Sequence, residues 1–201
     1  MRSIVCLLGS PRPGGNSAVM AQALCAAAEA AGAMVQTFAL NKLNYRGCQG
    51  CLACKKEAEA CVLTDGLTPV LRAVSTCDAL VLATPVYFGE VTSQLKAFID
   101  RSFSYLKPGY PHLPRGERSR LAPGKALAFV IAQGHPKEDL FTDIFPRYAY
   151  FYNWLGFTES RLLRACAVYH LGDAQARPEV LEEARSLGRE LATGLAMDQG
   201  S

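Results

Sequence analysis

Apolar residues gather in five short runs: Ser3 to Leu8, Met34 to Leu40, Ala79 to Ala83, Ala126 to Ala132 and Arg161 to Val168. The runs are near-continuous rather than alternating, the pattern of strands covered on both faces in a parallel sheet. Between them, apolar residues recur at helical spacing over about Asn16 to Ala31, Leu67 to Ser75, Thr92 to Tyr105, Glu138 to Leu155 and Pro178 to Leu195. Strands alternating with helices predict an α/β fold: a doubly wound parallel sheet of five strands in the order 2-1-3-4-5, flanked by helices. The first helix is rich in alanine, which permits close packing on the sheet, and it stops at Gly32. The last opens with Pro178, where a helix tolerates proline best, and Asp198 to Ser201 are expected to fray. No internal repeat is present.

Two segments break the alternation, Asn44 to Asp65, rich in cysteine, and Lys107 to Gly124, rich in proline, glycine and arginine. Both are longer than the usual connection in a compact domain, which makes them candidates for function.

Strand one turns at once into Gly9-Ser10-Pro11-Arg12-Pro13-Gly14-Gly15-Asn16-Ser17, and a helix follows. Unpaired N–H groups and the dipole at a helix N-terminus favour an anion. Glycines let the backbone approach it, and Ser10, Arg12, Asn16 and Ser17 supply donors, so a phosphomonoester fits. The loop lacks the Gly-Lys-Ser/Thr of a nucleotide-triphosphate loop and the Gly-x-Gly-x-x-Gly of a dinucleotide site. Taken alone it also reads as a polar turn with a helix cap. The loop after strand three, Thr84-Pro85-Val86-Tyr87-Phe88-Gly89-Glu90-Val91-Thr92, shifts the balance. In such sheets ligands sit beyond the carboxyl ends of the strands where the order reverses, here between strands one and three. Pro85 stiffens this second loop, Gly89 permits close approach, and Val86, Tyr87 and Phe88 offer apolar surface and backbone polar atoms to a flat ring. A third loop, Gln133-Gly134-His135-Pro136, would close the same crevice, with His135 more readily solvated than catalytic.

The first loop, together with Thr-Pro-Val-Tyr-Phe-Gly-Glu-Val-Thr-Ser-Gln-Leu-Lys-Ala-Phe-Ile-Asp-Arg from Thr84 to Arg101, resembles the flavodoxin-like NADPH-dependent FMN reductase family. The resemblance covers essentially the whole predicted fold. It implies FMN held by its phosphate at Ser10, Arg12, Asn16 and Ser17 and by its ring near Pro85 to Gly89, with NADPH or NADH as electron donor. It also implies a homodimer or homotetramer with the flavin near a subunit interface.

Cys48, Cys51, Cys54 and Cys61 form C-x2-C-x2-C-x6-C, thiolates dense enough for a [4Fe-4S] cluster. Gly47 and Gly50 let the loop fold tightly, and Lys55 and Lys56 offset negative charge. The run resembles that of the iron-sulfur flavoproteins, a branch of the same family, in spacing and in place. Where that branch commonly carries two acidic residues after the last cysteine, this chain has Thr64-Asp65-Gly66, and Asp65 is positioned to cap the next helix. A four-cysteine zinc site and a metal-free thiol–disulfide loop are the alternatives. Cys6, Cys25, Cys77 and Cys166 lie in or beside apolar runs and read as small hydrophobes.

Composition adds limits. Half of the 201 residues are apolar, enough for one core, and a single domain over residues 1–197 is expected. The net charge of +3 is spread out, with no basic run to suggest nucleic acid or membrane as a partner. Ser3 to Leu8 is too short for a signal-peptide core, and Ala18 to Leu40 is interrupted by polar residues, so a soluble cytoplasmic protein is expected. Two functions follow: an FMN oxidoreductase passing electrons to a small-molecule acceptor, or a carrier exchanging electrons with ferredoxin-like partners.

Overall fold

The computed structural model describes residues 1–194. Leu195 at the end of the expected last helix, the domain's expected end at residue 197, and Asp198 to Ser201 lie outside the described residues. Strands β1 (Ser3–Leu8), β2 (Met34–Ala39), β3 (Ala79–Pro85), β4 (Lys125–Ala132) and β5 (Phe157–Ala165) form one parallel sheet in the order β2-β1-β3-β4-β5. Neighbouring strands run in register from Ile4 against Ala79 to Leu8 against Ala83, and from Ala79 against Ala126 to Pro85 against Ala132. The topology is the predicted one.

Side-chain alternation makes the two faces of this sheet unlike each other. Leu80, Leu82, Leu127, Phe129 and Ile131 point to one core, under helices α2 (Leu67–Thr76), α3 (Ser93–Arg101) and α4 (Ile144–Trp154). Ala79, Val81, Ala83, Ala126, Ala128 and Ala132 point to the other, under α1 (Asn16–Ala30) and α5 (Pro178–Thr193). Small residues on that side draw the layers together. A Cβ built on Gly188 of α5 would fall 2.1 Å from the Leu24 carbonyl oxygen of α1, so only glycine permits this approach.

Three predicted elements shift by three residues or more at an end. The strand expected from Arg161 to Val168 runs from Phe157 to Ala165, because Gly156 turns out of α4 at φ 97° and Ala167 breaks the extended run at φ 56°. The helix expected from Glu138 begins at Ile144. The Arg164 guanidinium draws the Glu138 and Leu140 carbonyls into a turn, and Phe141 stands at φ 60°, so the first turn forms only where Pro146 tolerates it. The helix expected from Thr92 to Tyr105 starts behind Thr92, whose hydroxyl caps it by accepting from Leu95 N–H at 3.3 Å. It gives way to a 3-10 turn over Ser102–Tyr105. The two long connections carry only short 3-10 turns, at Ala53–Lys55, Tyr110–His112 and Arg115–Glu117.

Candidate functional site: a phosphate cleft and a cysteine cavity

The ends of β1, β3, β4 and β5 open on one cleft of about 640 Å³. All eleven candidate residues line it: Ser10, Arg12, Asn16 and Ser17 from the first loop, Pro85 to Gly89 from the second, Gln133 and Gly134 from the third. The first two loops are tied together below the cleft. Gly9 N–H donates to the Ala83 carbonyl at 2.8 Å, and the Thr92 hydroxyl donates to the Gly9 carbonyl at 2.7 Å. Gly9 leaves no room for a side chain, since a Cβ there would lie 2.9 Å from that of Leu95. Gly15 is equally constrained by the Ser10 hydroxyl, which accepts from Arg12 N–H at 3.1 Å and folds the loop over itself.

At the start of α1 the backbone N–H groups of Asn16, Ser17 and Ala18 have no acceptor among the described residues. The Ser17 hydroxyl beside them is also without a partner although Ser17 is only 1 % exposed. Buried donors left open cost about 1–3 kcal/mol each unless something answers them, and a phosphate dianion at a helix N-terminus does so. The site fits the phosphate end of a mononucleotide.

Asn16 and Gln133 carry out a different task from the one expected of their side chains. Asn16 Nδ2 donates to the carbonyls of Val168 at 3.1 Å and His170 at 2.9 Å, and its Oδ1 accepts from Ala174 N–H at 3.0 Å. Gln133 Nε2 donates to the His135 and Lys137 carbonyls at 2.8 and 2.6 Å, while its Oε1 accepts from Arg164. Both amides are spent on shaping loops; the Asn16 N–H stays open at the start of α1, while the Gln133 N–H and carbonyl are paired with Ala165 and Val168.

Residues 87–90 make a tight reversal, with Tyr87 N–H donating to the Glu90 carbonyl at 2.8 Å and Glu90 N–H returning to Tyr87 at 3.1 Å. Its central residues Phe88 and Gly89 have φ of 51° and 81°, the type I′ signature, and Phe88 accepts a conformation that suits glycine. The Phe88 side chain is fully exposed at the mouth of the cleft. Tyr169 and Leu171, also exposed, complete the rim together with Phe141. Tyr169 and Leu171 lie just past the strand expected to end at Val168, and Phe141 inside the helix expected from Glu138, so no motif in the sequence sets them beside the three loops.

The cysteine-rich connection gathers Cys48, Cys51, Cys54 and Cys61 around a second cavity of about 190 Å³. Cys48 and Cys51 are exposed, Cys54 and Cys61 half-buried. Among the described residues no three His, Cys, Asp or Glu side chains converge as they would around one ion. A cubane spreads its four ligands over four irons and asks for a wider ring than a mononuclear site does. One cation of the loop and two from outside it lie about the cavity. Lys55 donates to the Phe103 and Leu106 carbonyls at 2.6 and 2.7 Å and lies 3.6 Å from Cys54 Sγ; desolvation lowers its pKa, against the Cys54 thiol, which raises it. Arg120 donates to the Cys54 carbonyl at 3.0 Å, so the connection 107–124 braces the cysteine loop. Buried Arg101 donates to Asp65 at 2.8 Å and to the carbonyls of Arg46 and Leu63. Lys55 and Arg101, and Arg120 through the Cys54 carbonyl, place positive charge about the four cysteines, which fits an anionic cluster.

Asp65 caps α2 as expected, accepting from Leu67 N–H at 3.0 Å, and also from Arg46 N–H at 3.1 Å. Burial pushes its carboxyl up, but the Arg101 guanidinium and these two backbone donors outweigh it and hold the pKa below the usual range. The remaining cysteines behave as hydrophobes. Cys6, Cys25 and Cys77 are buried, with burial pushing the Cys77 thiol up to about 11, and Cys166 is half-buried.

A sheet ordered 2-1-3-4-5 with a phosphate-type loop at its switch point defines a flavodoxin-like mononucleotide-binding protein. The model of the NADPH-dependent FMN reductase family matches residues 2–139, and the chain belongs to that family. It is 41% identical over 136 residues to an iron-sulfur flavoprotein of Archaeoglobus fulgidus, covering 66% of this chain and 56% of that protein. Against an iron-sulfur flavoprotein of Methanocaldococcus jannaschii the figures are 33% over 99 residues, 49% and 51%. The chain thus spans about half the length of the curated relatives it matches. Among solved structures it superposes on an NAD(P)H:quinone oxidoreductase from Methanothermobacter marburgensis with a TM-score of 0.72 at 19% identity, covering 94% of this chain and 96% of that one. An FMN-dependent NADH-azoreductase from Bacillus anthracis in complex with FMN gives 0.68 at 17%, covering 96% and 98%. At those identities the likeness concerns the fold.

Proposed function

We propose that the chain is an FMN-dependent oxidoreductase that draws electrons from NADPH or NADH and carries a [4Fe-4S] cluster on Cys48, Cys51, Cys54 and Cys61. The observation that carries the flavin half is the set of open donors at Asn16 to Ala18, with the unpartnered Ser17 hydroxyl, in a cleft bounded by all three predicted loops. Family membership and the iron-sulfur flavoprotein names of the relatives support FMN and the cluster respectively.

Ser10, Arg12, Ser17 and the first N–H groups of α1 would hold the phosphate, while Asn16 fixes the loop in the shape that presents them. Pro85 to Gly89 and the backbone of Gln133 and Gly134 would border the ring. Bound flavin supplies hydride acceptance and the release of electrons singly or in pairs, which needs no acid–base pair from the protein. Around the cysteines, Lys55, Arg101 and Arg120 would offset the negative charge of the ligated thiolates.

The exposed apolar rim of Tyr87, Phe88, Tyr169 and Leu171 supports a homodimer or homotetramer with the cleft near a subunit boundary. No helix among the described residues is long and apolar enough to cross a membrane, which agrees with a cytoplasmic place. Anaerobic purification followed by an absorption spectrum and iron and sulfide assays tests the cofactors. Failure to take up FMN sinks the reading; flavin without iron or sulfide removes the cluster. Rapid mixing with NADPH then separates a reductase, which reduces its flavin, from a carrier serving ferredoxin-like partners, which does not.

A further inference from the structure

The third loop of the cleft, residues 133–141, joins β4 to α4 without helix or strand of its own. Both of its ends reach the cleft, Gln133 to Pro136 at one and Phe141 at the other. Phe141 is where the third loop meets the second: a Cβ built on Gly89, which stands at φ 81°, would lie 3.4 Å from the Phe141 ring. Phe141 itself stands at φ 60°, a left-handed backbone that an aromatic residue takes up only where its surroundings impose it.

The constraint comes from the edge strand. Arg164 of β5 reaches over the loop, where Nη1 donates to the Glu138 carbonyl at 3.0 Å and Nη2 donates to the Leu140 carbonyl and to Gln133 Oε1. Gln133, held in this way, donates to the His135 and Lys137 carbonyls. One planar fork thus gathers both ends of the loop, and its three acceptors are neutral oxygens. Arg164 does not line the cleft. Satisfying the exposed Glu138 carbonyl does not call for a guanidinium, since water would serve it as well. Water cannot fix residues 138 and 140 relative to Gln133, and the residue that follows them is the left-handed Phe141.

We propose that Arg164 is the positioning residue of the wall that receives the flavin ring. By holding Gln133, Glu138 and Leu140 in one fork it sets Phe141 against Gly89, and that contact fixes the gap between the second and third loops. The inference rests on the FMN reading above and deepens it, because it gives the ring's share of the affinity, as distinct from the phosphate's, to a side chain that touches neither. A wall held in advance spares the ligand the cost of ordering it.

The test titrates the whole chain, stripped of flavin, with FMN and separately with riboflavin, which carries the same ring without the phosphate, and follows the change in flavin fluorescence. Arg164→Met keeps the apolar stem and removes the fork. It should weaken both ligands about tenfold and by the same factor, leaving the ratio of the two affinities where it was. The visible circular dichroism of the bound flavin at saturation should change with it. Val74→Ala, a core change in α2 away from the cleft, controls for lost stability and should leave both affinities unmoved. Phe141→Gly, which suits the left-handed backbone and deletes the ring, keeps the test open if Arg164→Met does not fold, and should reproduce the equal loss. Because Arg164 acts through Phe141, the double variant should bind about as weakly as Phe141→Gly alone. A loss confined to FMN overturns the proposal, since it would mean that Arg164 acts by its charge on the phosphate. So do unchanged affinities in Arg164→Met or Phe141→Gly, an equal loss in Val74→Ala, or losses that multiply in the double variant. An unaltered chain that bound neither flavin would remove the FMN reading and this inference together, whereas flavin binding indifferent to these variants removes this inference alone.

Discussion

The phosphate cleft and the cysteine cavity are both made of irregular chain, yet they are held in opposite ways. The cleft is shaped by backbone. Its loops leave the ends of adjacent strands, cross-link through Gly9, Ala83 and Thr92, and present open donors at the start of α1. The cysteine loop has one 3-10 turn over 22 residues, from Asn44 to Asp65, and is held by long cationic side chains reaching in from α3 and from the connection 107–124. A site built at strand ends inherits the rigidity of the sheet; one built on a free loop depends on its ligand and its neighbours for shape.

The sharpest way to break this contrast is to remove a ligand from the looser site. Cys54→Ser should abolish the iron and sulfide content of anaerobically purified protein while FMN content stays at one per chain; an equal loss of both would show that the sites are not independent. Next is the cation that anchors the loop. Arg101 has a fully buried side chain paired with Asp65, and Arg101→Met should cost about 3 kcal/mol in a urea titration, since it strands the carboxylate. The sign with pH follows from the lowered Asp65 pKa. Its contribution is complete above an unfolded value of about 4 and is lost as pH falls below that through the native value. Asp65→Asn should therefore be less stable at pH 7 and show a shallower acid slope than the unaltered chain.

In the rigid site the effects are smaller and separable. Ser17→Ala should weaken FMN about tenfold in equilibrium dialysis without lowering the stability of the flavin-free protein, because the hydroxyl has no partner to lose. A matching drop in stability would show that Ser17 serves the fold. Smallest of all, Phe88→Gly should raise stability by about 1 kcal/mol by relieving the left-handed backbone, and loosen the mouth of the cleft. Unchanged thermal denaturation would show that the turn carries no strain.

The same contrast explains what could be read from the sequence. Strand runs, their order and all three loops at their ends were legible, because burial on both faces writes long apolar runs and a phosphate loop must follow a strand directly. The cysteine spacing was legible as a candidate ligand set, and the fold gathers the four around one cavity. What could not be read is how these polar side chains are used: the Asn16 amide is consumed by carbonyls distant in sequence, at Val168 and His170, and the Gln133 amide by nearby ones at His135 and Lys137. The buried Arg101, the brace at Arg120 and the fork of Arg164 over the third loop depend on which segments the fold brings together, and no local spacing announces them. Phe141 and Ala167 add a local reason, for non-glycine residues at positive φ give no warning in composition, and they displaced two boundaries.

The close approach of α5 to α1 at Gly188 sets a timetable for making the protein. The loop at Gly9 to Ser17 leaves the ribosome early, but the helix behind it is wedged by α5, and Asn16 is tied to Val168, His170 and Ala174. Until the stretch from β5 to α5 has emerged, the loop has neither its brace nor its final curvature. On the proposed reading, flavin capture would be a late event of biogenesis, and a nascent chain halted before Pro178 would carry every residue proposed to hold the phosphate while lacking the helix that wedges α1.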